Sequence, residues 1–298
     1  MSDSMVLAEP QTQTTADPAL GPQPRDLRSR TGNAATMIRR IAVGAIVPIL
    51  ILAGWDVVVR LEIFPKALIP SPSMVLSTLN DWATGSQGGM FYSGKLPGDV
   101  AATLERVAIG YLSAAVIGVL LGLLIGVSRW ADELLTPTMR ILGPVPPTTW
   151  IPVCIVVLGI GAVTNYFLVF LGAVFPIAAS STVAVSGVAR DLVRAARMMG
   201  RGRLGTTFAV VLPAALPGIV GGLRIGLGLA WMMAVTSEML AVRSGLGYTI
   251  WNCYNYLDYP GVFAAMIVLG ICGLATDMLL RAITASALRW HTATGVRA

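Results

Sequence analysis

The sequence contains few charged residues. Asp, Glu, Lys and Arg make up 12% of its 298 residues, whereas hydrophobic residues make up 55%, and the mean hydropathy is +0.74. Soluble domains carry roughly 25% charged residues, and a soluble chain of this length cannot bury so much apolar surface. Lipid is therefore the solvent for most of the chain, which excludes a typical cytosolic enzyme, a mainly disordered protein and a disulfide-stapled secreted domain.

Cysteine and histidine are also scarce. The three cysteines, Cys154, Cys253 and Cys272, have no CxxC spacing, so we expect small buried residues rather than metal ligands or disulfides. The one histidine, His291, lies in the C-terminal tail, which argues against a metal site or a histidine proton relay. The net charge is +6, but no basic, aromatic-rich soluble domain carries it, so no nucleic-acid partner is expected.

A complete nucleotide-binding motif is missing as well. Residues 89–96 come close to a phosphate-binding P-loop, but Leu96 occupies the position where the motif needs Ser or Thr to hold magnesium. No other Gly-Lys pair occurs. The chain is therefore expected to be no enzyme and to bind no cofactor itself; if it belongs to a pump driven by ATP and magnesium, these bind to a partner subunit.

Six apolar segments approach the ~20 residues that a helix needs to cross a bilayer. They do not alternate in polarity as barrel strands do, so the sequence predicts an all-α membrane protein with six transmembrane helices. The transmembrane domain covers residues 39–286, between a disordered tail at 1–38 and a short tail at 287–298. The predicted spans are Ile41–Arg60, Val100–Val127, Met139–Leu158, Asn165–Val185, Gly218–Leu240 and Gly261–Ala285.

The positions of the basic residues predict the orientation, because Lys and Arg concentrate in cytoplasmic loops. Arginines cluster before the first span and in segment 186–217, so both regions are expected inside, and an even number of spans then places both termini in the cytoplasm. The two clusters are Arg25, Arg28, Arg30, Arg39 and Arg40, and Arg190, Arg194, Arg197, Arg201 and Arg203.

The segment after the first span contains a helix signal. Ser71 followed by Pro72 is typical of a helix N-cap with proline at the first helical position. Apolar residues at helical spacing follow as far as Trp82. We expect Trp82, Phe91 and Tyr92 to anchor this segment at the membrane interface.

Small residues recur at every fourth position in the second and fifth spans. The two sets are Gly110, Ala114, Gly118, Gly122 and Gly126, and Gly218, Gly222, Gly226, Ala230 and Ala234. Each set forms a smooth helix face that lets another backbone approach closely. Two interpretations remain open: ordinary helix packing, or faces that move against a neighbour during a conformational cycle.

Segment 186–217 is long for a plain connection between spans. Helical patterns at Arg190–Met199 and Leu204–Leu212 are separated by glycines, and Pro213 and Pro217 are expected to end the second helix before the next span. Ala195 and Ala196 are expected to form a small-residue patch on the first helix. The residues alone leave two readings open: a docking helix pair for a cytoplasmic protein, or an amphipathic loop whose arginines contact anionic lipid.

The spacing within this segment resembles the loop motif of permeases of ATP-binding-cassette (ABC) importers, which is Glu-Ala-Ala, three residues, Gly, nine residues, Ile, one residue, Leu-Pro. Here Arg194 replaces the glutamate, and Val210 replaces the isoleucine. The resemblance implies that the loop couples the chain to an ATPase. The residues that match or replace the motif are Arg194, Ala195, Ala196, Gly200, Val210, Leu212 and Pro213.

Further segments resemble the nitrate, sulfonate (taurine) and bicarbonate branch of these permeases, so that the resemblance covers about residues 40–285. They are the Leu-Ile-Pro-Ser-Pro-Ser run at 68–73, the proline-rich run at 144–152, the Gly-Leu-Arg-Ile-Gly run from 222, the Ser-Glu-Met-Leu run at 237–240 and the Gly-Leu-Gly-Tyr run from 245. The branch implies a permease of the type I importer fold in the bacterial inner membrane.

The resemblance also implies partners and a mechanism. ABC ATP-binding subunits, an extracytoplasmic substrate-binding protein and a second permease are expected, the last a copy of this chain in preference to a sister chain, all in contact with membrane lipid. ATP binding draws the ATPase subunits together, the docked loops follow, and the spans open outward. The imported solute is a small anion such as nitrate, a sulfonate or bicarbonate.

Residues of the solute pathway are predicted from two features. Prolines in the third span free backbone carbonyls within the membrane, which indicates either a bent helix that lines a cavity or a packing kink. Glu238 is an intramembrane acid, with solvation at the interface as the alternative. The candidate pathway residues are Pro146, Pro147, Thr148, Thr149, Trp150, Trp231 and Glu238.

Other charges in the spans have simpler predicted roles. Asp277 and Arg281 are four residues apart and are expected to pair, as are Asp56 and Arg60. Arg224 is expected to reach the cytoplasmic face, with anion binding as the lesser alternative. Against the importer hypothesis we weigh an ATP-independent channel or secondary transporter, a membrane scaffold, and an importer of a heterocyclic vitamin precursor.

Overall fold

The structure is a computed structural model that describes residues 46–47, 50–51, 53–61, 69–86 and 88–287. Within these ranges every regular element is helical. The predicted tail at 1–38, residues 288–298 of the predicted C-terminal tail, His291 and parts of the predicted first span lie outside the described residues. In that first span, residues 53–60 are helical.

From residue 72 onward, the described residues form ten helices. A 3-10 turn at Pro147–Trp150 precedes α4, and a π-helical segment at Thr207–Val211 joins α7 to α8. The helices are α1 (Pro72–Thr84), α2 (Leu96–Val127), α3 (Arg129–Leu142), α4 (Ile151–Leu158), α5 (Ala162–Ser186), α6 (Arg190–Met198), α7 (Arg203–Thr206), α8 (Leu212–Ala241), α9 (Leu246–Asn255) and α10 (Tyr259–Ala287).

Four continuous helical stretches in the described residues are long and apolar enough to cross a membrane: Leu96–Val127, Ala162–Ser186, Arg203–Ala241 and Tyr259–Ala285. They agree with the second, fourth, fifth and sixth predicted spans, although the fifth begins 15 residues earlier than predicted. Arg129–Leu142 and Pro147–Leu158 pass the same test only as one bent pair, so the described residues hold up to five spans.

The prediction of one helix at Met139–Leu158 is wrong in detail. The helices on either side of residues 143–146 meet at a bend of 83°. Pro144, Pro146 and Pro147 lack the N–H that a helix needs, and each restricts the residue before it to non-helical backbone. Three prolines within four residues therefore interrupt the helix, so the predicted bend is present but lies before α4 rather than within a single span.

Helix α5 lies at the centre of the bundle, with α2 on one side and α8 on the other. A Cβ atom added at Gly110 would lie 2.6 Å from Val169, and one added at Gly226 would lie 2.5 Å from Ile177 of the same central helix. Both small-residue faces therefore pack on α5 at backbone distance, which accounts for the four-residue rhythm. Whether the faces also move against α5 stays a prediction.

The helix predicted from Ser71 is confirmed as α1. The backbone N–H of Met74 donates to Ser71 Oγ at 3.3 Å, and Pro72 opens the helix. The prediction of interfacial anchors is wrong for Trp82 and Tyr92, because they are 1% and 3% exposed. They pack with Leu246 of α9 and with residues of α10, since an aromatic pattern in sequence does not tell a protein contact from a lipid contact.

The pairing of Asp277 with Arg281 is confirmed, at 2.7 Å between Oδ2 and Nε. Arg224 Nε lies 3.6 Å from Oδ1 of the same Asp277, so this arginine joins α8 to α10. The prediction that Arg224 extends to the cytoplasmic face did not include Asp277 as its partner, because sequence spacing indicates contacts within one helix and not between two helices.

Candidate functional site

The loop between α5 and α8 begins with helix α6, on which the two predicted alanines do not share a face. Ala196 is 1% exposed and lies against its own chain, whereas Ala195 is exposed. Successive residues of a helix point about 100° apart, so neighbours in sequence separate when one of them is buried. The predicted Ala195–Ala196 patch is therefore wrong as a single surface.

Gly200 ends helix α6 in a Schellman arrangement. Its N–H donates to the Arg197 carbonyl at 3.0 Å, and the Arg201 N–H donates to the Ala196 carbonyl at 3.2 Å. This cap requires left-handed backbone at Gly200, where φ is +82°, a conformation that glycine adopts without a steric cost. A Cβ atom added there would meet nothing within 4 Å, so the position is open on its outer side.

The second half of the loop runs directly into α8. The expectation that Pro213 and Pro217 end a helix is wrong, because the helical backbone continues from Arg203 to Ala241. Pro213 follows directly on the π-helical segment Thr207–Val211, in which the Leu212 N–H donates to the Thr207 carbonyl. The backbone there departs from the α-helical hydrogen-bond pattern that a proline would interrupt. Val210, Leu212 and Pro213 are half-buried, so this part of the motif anchors the loop to the bundle.

The outward surface of the loop combines bare apolar side chains with arginines. Met198 is 86% exposed and Phe208 is 61% exposed. Arg194 pairs with Asp191 at 3.6 Å, and both side chains remain exposed. We call the following set the loop surface: Leu192, Arg194, Met198, Met199, Gly200, Leu204 and Phe208, all of them exposed.

The bend before α4 borders a cavity of about 780 Å³ between α3, α5 and α8. Pro146, Pro147 and Thr148 line it. Two other candidates from the same run do not: Thr149 donates its hydroxyl to the Pro146 carbonyl at 2.7 Å, and Trp150 packs on the cluster around Ile151 and Leu168.

The remaining pathway candidates, Trp231 and Glu238, do not line this cavity. Trp231 is 8% exposed in the core between α2, α5 and α8, and its Nε1–H donates to Thr276 Oγ1 at 2.9 Å. The cavity therefore brings together three of the seven predicted pathway residues, namely Pro146, Pro147 and Thr148. Thr149 and Trp150 of the same run, and Trp231 and Glu238 of α8, lie elsewhere.

Glu238 is the centre of a buried polar network at the end of α8 opposite to the loop. It is 0% exposed. Oε1 accepts from Arg106 Nη1 at 2.7 Å, while Oε2 accepts from Thr103 Oγ1 and from the Gly247 N–H, each at 2.9 Å. Because protein groups satisfy both oxygens, the interfacial solvation that was the alternative for Glu238 does not occur.

Sequence reasoning missed Arg106, which bonds Glu238 and also donates to the Ser244 carbonyl at 2.7 Å and to Ser244 Oγ at 2.6 Å. The available signal was a charged residue, next to Glu105, within the otherwise apolar second span. The network ties α2, α8 and α9 together at one end of the bundle.

The long apolar helices define a multi-pass membrane protein, and the comparisons with known proteins identify its class as a permease. Residues 115–288 match the family of binding-protein-dependent transport system inner membrane components. The chain belongs to this family, and it is a multi-pass protein of the bacterial inner membrane.

Individual relatives come from the predicted branch. The chain is 32% identical to the taurine transport system permease protein TauC of Escherichia coli (strain K12), over 81% of this chain and 86% of TauC. It is 36% identical to the nitrate import permease protein NrtB of Leptolyngbya laminosa, over 66% and 68%. It is 30% identical to the putative aliphatic sulfonates transport permease protein SsuC of Bacillus subtilis (strain 168), over 83% and 87%. The chain is thus an ABC importer permease of the nitrate, sulfonate and taurine branch.

A solved structure shares the fold. An inward-facing conformation of the MetNI methionine ABC transporter superposes with a TM-score of 0.56 at 23% identity, over 64% of this chain and 95% of that chain. This likeness shows that the helices have the arrangement of a type I importer permease.

Proposed function

We propose that this chain forms the translocation pathway for a small anionic solute, namely nitrate, a sulfonate such as taurine, or bicarbonate. A substrate-binding protein delivers the solute, and segment 186–217 couples the pathway to a separate ATPase that binds ATP and magnesium. The names of the relatives support the solute class, and the family description supports the binding protein.

The observation that carries the coupling proposal is the loop surface. Large apolar side chains such as Met198, at 86% exposed, are costly at an aqueous surface unless a partner covers them. The arginines around them supply charge-assisted hydrogen bonds to acidic groups of that partner. The Schellman cap at Gly200 fixes the shape of this surface, so that the motif positions act together.

The same proposal places the chain in the membrane. We propose six transmembrane helices with both termini in the cytoplasm, so that the loop surface faces the ATPase and the Glu238 network lies at the outer end. A second permease, a copy of this chain, closes the pathway. Alternating access then follows from ATP-driven movement of the two loops.

Paired substitutions at the loop surface test the coupling. Met198→Glu should weaken association with the ATP-binding subunit by at least about tenfold, because a charge replaces a buried apolar contact, whereas Met198→Leu keeps the volume and should associate normally. Gly200→Asp should also abolish association, and Gly202→Asp adds the same charge at ordinary extended backbone, with φ of −66°.

Co-purification from detergent and ATPase stimulation by loaded binding protein give the readout. The docking role fails if Met198→Glu keeps full stimulation, or if the wild-type chain retains no ATP-binding subunit. A flotation assay with anionic vesicles covers the other reading of the loop: loss of vesicle binding with unchanged ATPase association would assign the surface to lipid instead.

A further inference from the structure

Helix α3 (Arg129–Leu142) exposes an apolar stripe along one side. Trp130, Leu134 and Ile141 are 83%, 67% and 72% exposed. At about 100° per residue, these three positions fall within about 40° of one another around the helix. The stripe is therefore a single face, and the described residues leave it open.

The other two faces of α3 have a different chemistry. The face about 100° from the stripe in one direction is charged and exposed, and it consists of Arg129, Glu133 and Arg140. The face about 120° from the stripe in the other direction is half-buried against the chain, and it consists of Ala131, Leu135 and Met139. One apolar face beside one charged face is typical of a helix that lies in the interface of a membrane.

Helix α3 begins where a membrane-spanning helix ends. Only Ser128 separates it from α2, and the Ala131 N–H donates to Ser128 Oγ at 3.4 Å, so a new helix starts there. A Cβ atom added at Gly126 would lie 2.5 Å from the Val185 side chain, so α2 ends beside the end of α5, where segment 186–217 begins. The start of α3 therefore lies at the edge of the bilayer, on the side of the loop surface.

The length and direction of α3 do not suit a membrane crossing. Its 14 residues extend about 21 Å, which is less than the ~30 Å of the hydrocarbon core. The chain then bends by 83° before it continues as Pro147–Leu158. If that second helix crosses close to the bilayer normal, α3 lies close to the plane of the membrane.

We propose that α3 is an in-plane helix whose apolar stripe is covered by lipid acyl chains, while its charged face lies among the headgroups and water. Lipid is the partner that the location supplies, because Leu124 and Val127 in the last turn of α2 are themselves exposed apolar residues. Trp130 follows the end of that span by three residues, and tryptophan is enriched at bilayer interfaces. The chain re-enters the bilayer at the bend. This inference goes beyond the proposed function and holds whichever solute is carried.

Depth measurements at single positions of α3 test the proposal. A fluorescent acridone amino acid replaces Trp130, Leu134, Ile141 or Glu133, one at a time, by stop-codon suppression. The permease complex with its ATP-binding subunit is placed in nanodiscs of phosphatidylethanolamine and phosphatidylglycerol. Lipids that carry a nitroxide at a known depth quench a membrane-buried reporter, and iodide quenches a reporter in water.

The three stripe positions should be quenched by lipid at one common depth, about 5–10 Å into the boundary of headgroups and acyl chains. Position 133 should be quenched by iodide instead. A helix that enters along the bilayer normal would change depth by about 16 Å between positions 130 and 141, and such a gradient would overturn the in-plane orientation. Stripe positions that iodide quenches, or that neither quencher reaches because the ATP-binding subunit or a second copy of the chain covers them, would overturn the lipid contact.

A matched pair of double variants connects the position of α3 to its stripe, with the reporter at position 141. Trp130→Gln with Leu134→Gln should reduce lipid quenching and increase iodide quenching, because the stripe loses its apolar side chains. Arg129→Gln with Glu133→Gln changes the neighbouring residues on the charged face and should quench as the wild type does. Equal quenching in the two double variants would show that the stripe does not hold the helix in lipid. Loss of the ATP-binding subunit is scored separately, because it bears on the proposed function and not on α3.

Discussion

Removing the charge of Glu238 should strongly destabilise the chain. In Glu238→Gln the amide keeps the size of the carboxylate. Oε2 of Glu238 accepts hydrogen bonds from the Thr103 hydroxyl and the Gly247 N–H, and an NH₂ group in its place cannot accept either of them. The Arg106 side chain, which is only 8% exposed, then carries a positive charge without a counter-ion. Breaking one side of a buried pair costs about 3–5 kcal/mol.

That cost corresponds to a melting temperature lower by roughly 6–20 °C, at about 2–4 °C for each kcal/mol in a chain of this size. Thermal unfolding of the detergent-purified permease, followed by tryptophan fluorescence, measures it. Arg129→Gln is the matched control, because its partner Glu133 is solvent-exposed and such pairs contribute little. Its melting temperature should not change measurably.

A double variant separates the ion pair from simple loss of packing. Arg106→Gln with Glu238→Gln leaves two neutral amides that can bond each other, so the combined destabilisation should be smaller than the sum of the single effects by about 1–3 kcal/mol. Additive effects, or a Glu238→Gln melting temperature within about 2 °C of wild type, corresponding to about 1 kcal/mol or less, would refute the assignment of a buried ion pair.

Two further predictions concern packing and ionisation. Gly118→Val should lower the melting temperature, because a Cβ atom at this position would lie 2.9 Å from the Ile177 side chain and overpacking costs about 1–3 kcal/mol. Gly228→Ala is the control: its Cβ atom meets nothing within 4 Å, so it should be neutral or slightly stabilising. Equal melting temperatures for the two variants would contradict the close approach of α2 to α5. Burial raises the pKa of the Cys253 thiol to about 12, so the folded state favours the protonated thiol. The protonated thiol contributes its full stabilisation below the ordinary pKa of 9.0. This stabilisation is lost as the pH rises towards the pKa of the folded state. Melting temperatures between pH 8 and 11 should therefore fall less steeply in Cys253→Ala, and identical slopes would show that the thiol is not linked to folding.

The sequence predicted the parts of the site that depend on local backbone chemistry. Ser71 and Pro72 begin a helix because cap and proline geometry involve neighbouring residues alone. Gly200 was found through its motif spacing, and the structure supplies the physical reason in a left-handed cap. Pro146, Pro147 and Pro152 predicted a bent helix or a packing kink in the third span. The bend lies before Pro147, whereas Pro152 lies in the first turn of α4, so neither its position nor its angle follows from the number of prolines.

Sequence spacing did not predict the contacts between helices. Glu238 appears in sequence as an isolated intramembrane acid, and its partner Arg106 is 132 residues away. Arg224 likewise forms an ion pair with Asp277 of α10, at 3.6 Å. Spacing rules describe one face of one helix, so they find Asp277 with Arg281 but not the arginine that approaches from another helix.

The sequence by itself determined that this is an apolar, helical membrane chain with an ABC permease loop, because hydropathy and motif spacing are properties of the linear chain. Tertiary structure decided which alanine of the loop is buried, which of the proline-run residues line the cavity, and that Arg106 is the partner of Glu238. Burial and pairing depend on where other helices lie, and that information is absent from any single segment.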